Sequence, residues 1–289
     1  MLTALIKAMR PKQWTKNAFV FFALVFDKQL FMREPFVRTL EGFFLFCLIS
    51  SAVYLFNDIA DVESDRKHPE KKHRPIASGA LPMNVAWIAA VVLTLIIIPL
   101  GYLLSPFFAG ILALYLVINL LYSRWLKHVP ILDVLIIAAG FVLRVGAGAT
   151  VIVVERFSPW LYVVTTLFAL FIGFGKRRAE ITLLEKGAGS HRKVLDGYTL
   201  PLLDQFITIV SGTTIVAYSL YSFSAPNLPE NHSMMLTIPF TVYGIFRYLQ
   251  LIQTGHAAGA PDEVALKDRP LQLTVLLWGL SVLAVFYFS

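Results

Sequence analysis

The sequence predicts an all-α, polytopic membrane protein with about nine transmembrane helices, and its composition and its apolar runs support this prediction. Of the 289 residues, 57% are hydrophobic and only 15% are charged. This composition is too apolar for an ordinary soluble domain. The apolar runs have about the length of 20 residues that a helix needs to cross a bilayer, and short polar loops separate them. We therefore expect residues 1–289 to form a single transmembrane domain.

The apolar runs divide the chain into candidate spans. The first is the weakest, because Asp27 and Lys28 interrupt its apolar run. The remaining spans are longer and more uniform. The predicted spans lie at about residues 17–32, 36–56, 81–104, 106–122, 129–154, 158–175, 200–223, 234–254 and 271–289.

The distribution of lysine and arginine predicts the orientation of the spans. Basic residues accumulate in cytoplasmic loops, and alternate loops are rich in them if the N-terminus is cytoplasmic. The first outer loop is an exception, since it contains Lys28, Arg33 and Arg38. The long loops at 57–80, 176–199 and 255–270 then share the cytoplasmic face of the plasma membrane, where we expect the active site. The net charge of +7 fits such loops beside anionic membrane lipids, and nucleic-acid binding is not expected.

An acidic motif follows the second predicted span. Asn57, Asp61 and Asp65 recur at every fourth position, so on a helix they share one face, with Asp58 beside them. Hard oxygen ligands favour Mg²⁺, which completes its shell with water and substrate phosphate. The alternative is a solvated helix end that balances nearby cations. Because Asn57 directly continues an apolar span, where polar groups are usually functional, these four residues are the predicted ligands of a magnesium diphosphate site.

A basic loop comes directly after the acidic motif. Pro69 and Pro75 end helices and Gly79 permits a turn, so the loop has a defined shape. Lys71 and Arg74 within it can contact diphosphate oxygens. The alternative is ordinary cytoplasmic loop charge.

The segment NDIADVESDRKHPEKKHRPIASG at residues 57–79 resembles the first signature of the UbiA superfamily of intramembrane prenyltransferases. The resemblance extends over the chain in span number and loop placement. It implies a UbiA-like helical bundle, Mg²⁺ and a diphosphate donor. Aromatic prenyltransferases of the superfamily have a second aspartate-rich motif after the sixth span, whereas residues 175–185 here read GKRRAEITLLE. A two-metal site for a prenyl diphosphate is therefore not expected.

Other segments resemble one branch of the superfamily, which uses phosphoribosyl pyrophosphate as the donor. They are RPKQWTKN, YSRWLKHVPILDV, GFVLRVGAGA, GKRRAE and DRP. The resemblance implies transfer of 5-phosphoribose to a polyprenyl (decaprenyl-like) phosphate with release of pyrophosphate, in the synthesis of cell-envelope glycolipid precursors. The basic residues suit this reaction, because it brings more phosphate groups to the site than a prenyl transfer does.

Further polar residues are candidate substrate ligands. Lys16 lies at the membrane boundary, with an interfacial anchor as its alternative role. Arg144 and Asp133 lie inside a span, too far apart to pair with each other, and are either functional or structural. Gly146 and Gly148 favour close helix packing. The remaining candidates are Tyr122, Lys127, Lys176, Arg177, Glu180 and Arg247.

Two other functions are alternatives to phosphoribosyl transfer. One is a UbiA-type aromatic prenyltransferase with a prenyl diphosphate donor, which the missing second acidic motif disfavours. The other is a non-enzymatic membrane transporter or lipid-binding protein, which does not explain a dense acidic motif beside basic loops on one face. The sequence leaves isoprenoid length and homo-oligomeric state open.

Overall fold

The computed structural model describes residues 1–154, 158–185, 193–225, 228–254 and 268–288. Within these ranges the chain forms helices and connecting turns without a strand, which confirms the all-α prediction. Eight described helical segments are long and apolar enough to cross a membrane, close to the predicted nine. They are α3 (Arg33–Ala60), α5 (Met83–Leu104), α6 (Pro106–Arg124), α7 (Leu132–Val151), α8 (Pro159–Glu185), α9 (Leu200–Ser224), α10 (Ile238–Gln253, preceded by the 3₁₀ helix Ser233–Thr237) and α11 (Arg269–Phe288).

The first predicted span, residues 17–32, is not one long α-helix. After the short helix α1 (Leu2–Met9), the chain forms a 3₁₀ helix at Pro11–Phe21 and then α2 at Phe22–Phe26. A 3₁₀ helix rises about 2.0 Å per residue and an α-helix about 1.5 Å. The two segments therefore have a combined rise of about 30 Å, similar to the thickness of the hydrocarbon core of a bilayer.

The helices belong to two compact units, which are described separately. The first unit comprises Met1–Lys127 and Leu143–Glu155, and the second comprises His128–Val142 and Arg156–Ser289. Helix α7 thus begins in the second unit and ends in the first. The prediction of a single domain over residues 1–289 stays a prediction.

In the first unit, α7 packs closely against the 3₁₀ helix of the N-terminal segment. A Cβ atom added at Gly148 would lie 1.9 Å from the carbonyl oxygen of Val20, so only glycine fits this contact. At Gly146 an added Cβ would meet only the Cδ1 atom of Ile111, at 3.7 Å. The predicted close packing therefore applies to Gly148 and not to Gly146.

Arg38, one of the three basic residues in the predicted first outer loop, binds the ends of two helices. Its Nε donates a hydrogen bond to the carbonyl oxygen of Val151 and its Nη2 to that of Leu104, each at 2.7 Å. These carbonyls lie at the ends of α7 and α5, where they have no partner within their own helix. Arg38 therefore caps two helices of the first unit, which gives this basic residue a structural role.

Replacing Arg38 by methionine is expected to destabilise the protein by about 1–3 kcal/mol, because two helix-end carbonyls lose hydrogen bonds from a charged group. The thermal unfolding midpoint in detergent measures this loss. Arg33→Met is the matched control, since Arg33 lies in the same helix and is exposed. Equal midpoints for the two variants would contradict the capping role.

In the second unit, glycines of α8 allow neighbouring helices to approach. A Cβ added at Gly173 would lie 2.6 Å from Cγ1 of Val134, and one at Gly175 would lie 2.9 Å from the hydroxyl of Tyr248. Val134 belongs to α7 and Tyr248 to α10. These contacts fix the part of α8 from which the basic segment Lys176–Arg178 continues.

Candidate active site

The acidic motif lies where α3 ends and α4 (Val62–Lys67) begins. Asn57 and Asp58 belong to the last turns of α3, Asp61 separates the two helices, and Asp65 lies on α4. Asp58 and Asp65 are buried, and each is 2% exposed. Arg74 joins them, since its Nη1 lies 3.0 Å from Oδ1 of Asp58 and 2.7 Å from Oδ2 of Asp65.

Two further cations contact the acidic motif. Nζ of Lys127 lies 2.7 Å from Oδ1 of Asp61, so this predicted residue lies at the motif. Nη2 of Arg10 lies 2.5 Å from Oδ1 of Asp58, and its guanidinium group lies over the ring of Tyr54. Arg10 was not predicted, although it opens the segment RPKQWTKN. Its backbone has a left-handed conformation with φ of 54°, with which it ends α1 as helices commonly end.

Two oxygens of the motif indicate that a cation fits there. Within the described part of the chain, Oδ1 of Asn57 and Oδ2 of Asp58 are buried and accept no hydrogen bond. A buried acceptor without a partner is costly, and a hard cation such as Mg²⁺ would satisfy both atoms. The described residues do not contain three or more acidic, His or Cys side chains gathered around one point. The ligand set of Asn57, Asp58, Asp61 and Asp65 therefore stays a prediction.

The predicted basic loop is short and ordered by His68. Its Nδ1 accepts hydrogen bonds from the backbone N–H groups of Glu70 and Lys71. Partial burial, and then the charge of Lys71, lower the pKa of His68 below its usual value, which favours the neutral imidazole that can accept these bonds. Lys71 then begins a 3₁₀ helix that leads directly to Arg74. Lys71 and Arg74 are both partly buried beside the acidic motif.

A second polar cluster of the first unit surrounds Arg144, which is 6% exposed. Its Nε donates to Oδ1 of Asn17 at 2.8 Å, and its Nη2 donates to the hydroxyl of Tyr115 at 3.0 Å. The guanidinium group also lies over the rings of Phe46 and Tyr115. Hydrogen-bond acceptors and aromatic rings thus hold this guanidinium group inside the first unit. Lys16, which precedes Asn17, is partly buried.

The basic segment of α8 belongs to the second unit, and carboxylates hold its arginines. Nε of Arg177 lies 2.6 Å from Oδ2 of Asp133, and its Nη1 lies 2.7 Å from Oε2 of Glu180. Nε of Arg178 lies 2.5 Å from Oδ1 of Asp204. Lys176 is partly buried. Asp133 thus pairs across helices with Arg177, which is 44 residues away in the chain.

Tyr198 completes the environment of Asp133. Its hydroxyl donates to Oδ1 of Asp133 and accepts from the backbone N–H of Ile131, both at 2.6 Å. Burial, and then the hydrogen bond to Asp133, raise the pKa of this hydroxyl above its usual value. Tyr198 therefore stays protonated and can donate at every physiological pH.

Arg247, a predicted phosphate ligand, pairs with Asp268 in the second unit. Its Nη2 lies 2.7 Å from Oδ2 of Asp268, and Asp268 also accepts a hydrogen bond from the backbone N–H of Leu271. The first residue of the segment DRP thus caps α11 and binds Arg247. In the predicted active-site loops, residues 186–192 and 255–267 lie outside the described residues. Tyr122, another candidate substrate ligand, lies near the end of α6 and is partly buried.

Known proteins resemble this chain in sequence and in fold. Residues 18–262 match the UbiA prenyltransferase family. Decaprenyl-phosphate phosphoribosyltransferase of Corynebacterium glutamicum is 36% identical, covering 98% of this chain and 86% of the relative. The enzyme of the same name from Mycobacterium tuberculosis is 35% identical, and the match covers 100% of this chain and 96% of the relative. The solved structure of a UbiA homologue from Archaeoglobus fulgidus bound to GPP and Mg²⁺ has a TM-score of 0.73, and the match covers 98% of this chain and 99% of that chain. Because the two sequences are only 16% identical, this comparison shows a similar fold and no more.

Proposed function

Because this chain belongs to the UbiA prenyltransferase family, we propose that it transfers 5-phosphoribose from phosphoribosyl pyrophosphate to a polyprenyl (decaprenyl-like) phosphate and releases pyrophosphate. The observation that carries this proposal is the 35–36% identity, over almost the whole chain, to phosphoribosyltransferases that act on decaprenyl phosphate by name. The product serves the synthesis of cell-envelope glycolipid precursors. The protein is a multi-pass membrane protein, placed by this proposal in the plasma membrane with its active site facing the cytoplasm.

The acidic motif binds the donor in this proposal. Asn57, Asp58, Asp61 and Asp65 would hold Mg²⁺, and the ion would supply positive charge to the leaving pyrophosphate. The unpartnered oxygens of Asn57 and Asp58 support this assignment. The motif itself lies at the end of a membrane-spanning helix, beside the basic loop.

The cations around the motif bind the phosphate oxygens of the donor. Three of them form ion pairs with carboxylates of the proposed metal site: Arg10 and Arg74 with Asp58, and Lys127 with Asp61. A guanidinium group binds phosphate or carboxylate with two parallel hydrogen bonds, so these arginines suit either partner. Lys71 adds a further cation from the basic loop that also contains Arg74.

The lipid phosphate is the nucleophile. The bond from the anomeric carbon to pyrophosphate breaks as a bond to an oxygen of the lipid phosphate forms on the opposite face, so the configuration inverts. A phosphate oxygen is already ionised near pH 7, and a general base is therefore unnecessary. Lys16 and Arg144 are the proposed ligands of the lipid phosphate in the first unit, since an ionised residue inside a membrane-spanning helix such as Arg144 usually marks a substrate pathway. Lys176, in the second unit, is a further proposed ligand of a substrate phosphate.

The test is to incubate the purified protein with Mg²⁺, phosphoribosyl pyrophosphate labelled in the ribose, and decaprenyl phosphate. We expect a labelled lipid, no product when EDTA removes the metal, and recovery when Mg²⁺ is added in excess. Undiminished transfer in EDTA would contradict the metal assignment. A product formed only from a prenyl diphosphate and an aromatic acid would instead identify an aromatic prenyltransferase.

A further inference from the structure

A buried hydroxyl of the first unit lacks a hydrogen-bond partner among the residues that the structure describes. It belongs to Ser123, which lies in the last turn of α6 and is 8% exposed. A serine or threonine inside a helix can donate to the carbonyl oxygen four residues earlier, as Thr94, Thr182 and Ser219 do. A buried hydroxyl without a partner is costly, so Ser123 suits a partner that arrives with a substrate.

Ser123 lies on the face of α6 that is turned into the first unit. The residues of this face recur at every third or fourth position and are Phe108, Leu112, Tyr115, Asn119 and Ser123. Helix α6 packs against α3, and the ring of Tyr115 lies 4.8 Å from the ring of Phe46 on α3. Lys127, which follows α6, pairs with Asp61 at the end of α3. Ser123 lies between these two contacts along α6.

The opposing face of α3 leads into the acidic motif. From Phe46 it continues at helical spacing through Ser50, Tyr54 and Asn57 and ends at Asp61. Oδ1 of Asn57 is, like the hydroxyl of Ser123, buried and without a hydrogen-bond partner within the described ranges. A donor whose diphosphate lies at the motif therefore brings its next chemical group to the interval between α3 and α6.

Charged groups lie at both ends of this interval. At the deeper end the hydroxyl of Tyr115 binds Arg144, and at the other end Lys127 binds Asp61. Ser123 is about 12 Å along α6 from Tyr115, and it and Asn119 on the same face are uncharged. In the proposed reaction the sugar carbon lies between two anions, the leaving pyrophosphate and the attacking lipid phosphate. An uncharged polar surface between two charged sites matches that sugar.

We propose that the hydroxyl of Ser123 binds a ribose hydroxyl of the donor and thereby selects a sugar donor. The proposal rests on the proposed function, in which phosphoribosyl pyrophosphate is the donor and the acidic motif binds its diphosphate. A serine hydroxyl both donates and accepts hydrogen bonds, as a ribose hydroxyl does. A prenyl diphosphate offers only hydrocarbon next to its diphosphate and leaves Ser123 unpaired, and a site built to bind a hydroxyl rejects such a donor.

The first experiment compares transfer from phosphoribosyl pyrophosphate with transfer from its 2-deoxy and 3-deoxy analogues. The wild-type protein is expected to prefer the natural donor to at least one analogue by about tenfold in kcat/KM. Ser123→Ala is expected to lose this preference, because its activity falls by about tenfold on the natural donor and stays unchanged on that analogue. The KM for decaprenyl phosphate should not change.

Ser222→Ala is the matched control for this comparison. It removes the same hydroxyl group from a buried serine of another membrane-spanning helix, α9, where the hydroxyl donates to the carbonyl oxygen of Ser219. The control should keep the wild-type preference among the three donors.

The second experiment measures the thermal unfolding midpoint, which does not depend on turnover. Without substrates, Ser123→Ala is expected to unfold at the same temperature as the wild type or at a higher one, because alanine leaves no hydroxyl unpaired in the interior. Phosphoribosyl pyrophosphate with Mg²⁺ should raise the midpoint of the wild type more than that of Ser123→Ala, since a tighter ligand stabilises more. Ser222→Ala should show the same rise as the wild type.

Three results would overturn the inference. If folded Ser123→Ala keeps the wild-type preference, the ribose contact is wrong. If it unfolds at a lower temperature without substrates and loses activity on all three donors equally, the hydroxyl is structural. If it raises the KM for decaprenyl phosphate and leaves the donor preference intact, the hydroxyl binds the lipid. Failure of the proposed function is recognised separately, because the wild-type protein then transfers nothing from phosphoribosyl pyrophosphate.

Discussion

Replacing Asp61 by asparagine is expected to lower phosphoribosyl transfer by about 10²–10³-fold, the size of effect seen when one electrostatic contact to a transition state is removed. Asp61 has a side chain that is 33% exposed and contacts Lys127, so its loss should leave the fold intact. Asparagine keeps the shape but removes the charge that a metal ligand supplies. The measurement is kcat/KM for the donor as a function of Mg²⁺ concentration, and we expect a higher Mg²⁺ requirement as well as a lower rate.

Glu63→Gln is the matched control for this prediction. Glu63 lies two residues along the chain from Asp61, is 76% exposed and pairs with the exposed Arg66. An exposed pair of this kind contributes little to stability. The control should therefore keep wild-type activity and Mg²⁺ dependence. Full activity in a folded Asp61→Asn protein would remove Asp61 from the proposed ligand set.

Replacing Gly148 by alanine is expected to prevent normal folding, with a loss of more than about 3 kcal/mol. The added methyl group would lie 1.9 Å from the carbonyl oxygen of Val20 and 2.9 Å from its carbonyl carbon. Both atoms belong to the backbone, so no side-chain rotation can relieve the contact. The 3₁₀ helix Pro11–Phe21, and with it Asn17, would have to move away from α7. The yield of monodisperse protein and its thermal unfolding midpoint measure this effect.

Gly146→Ala provides the comparison for this effect. It adds the same methyl group two residues earlier in α7, where the neighbour within reach is the end of one flexible side chain at 3.7 Å. Alanine also favours a helix over glycine by about 1 kcal/mol. We expect the Gly146 variant to be at least as stable as the wild type. Similar stability of both variants would show that the contact at Gly148 can relax.

The sequence was sufficient to predict the membrane-spanning helices and the location of the acidic motif. Hydropathy located the spans because burial in lipid requires long apolar helices. The motif stood out because Asn57 continues an apolar helix. The N-terminal span was predicted less well, because a 3₁₀ helix from Pro11 covers more distance with fewer residues, and its apolar run is correspondingly short.

Side-chain partners were the part that the sequence could not supply. Arg10 and Asp58 are 48 residues apart, and Arg177 and Asp133 are 44 residues apart. A single sequence contains no signal for such pairs, since any nearby carboxylate satisfies an arginine. Arg247 forms an ion pair with Asp268 that the sequence did not predict, and its role as a phosphate ligand stays a prediction.

The division of α7 between the two units has a consequence for biosynthesis. Ala147 and Val151 of α7 belong to the buried core that also contains Val20 and Phe46 of the first unit. The first 127 residues therefore leave the ribosome without all the side chains that complete their own core. That core is therefore complete only after α7 has been synthesised.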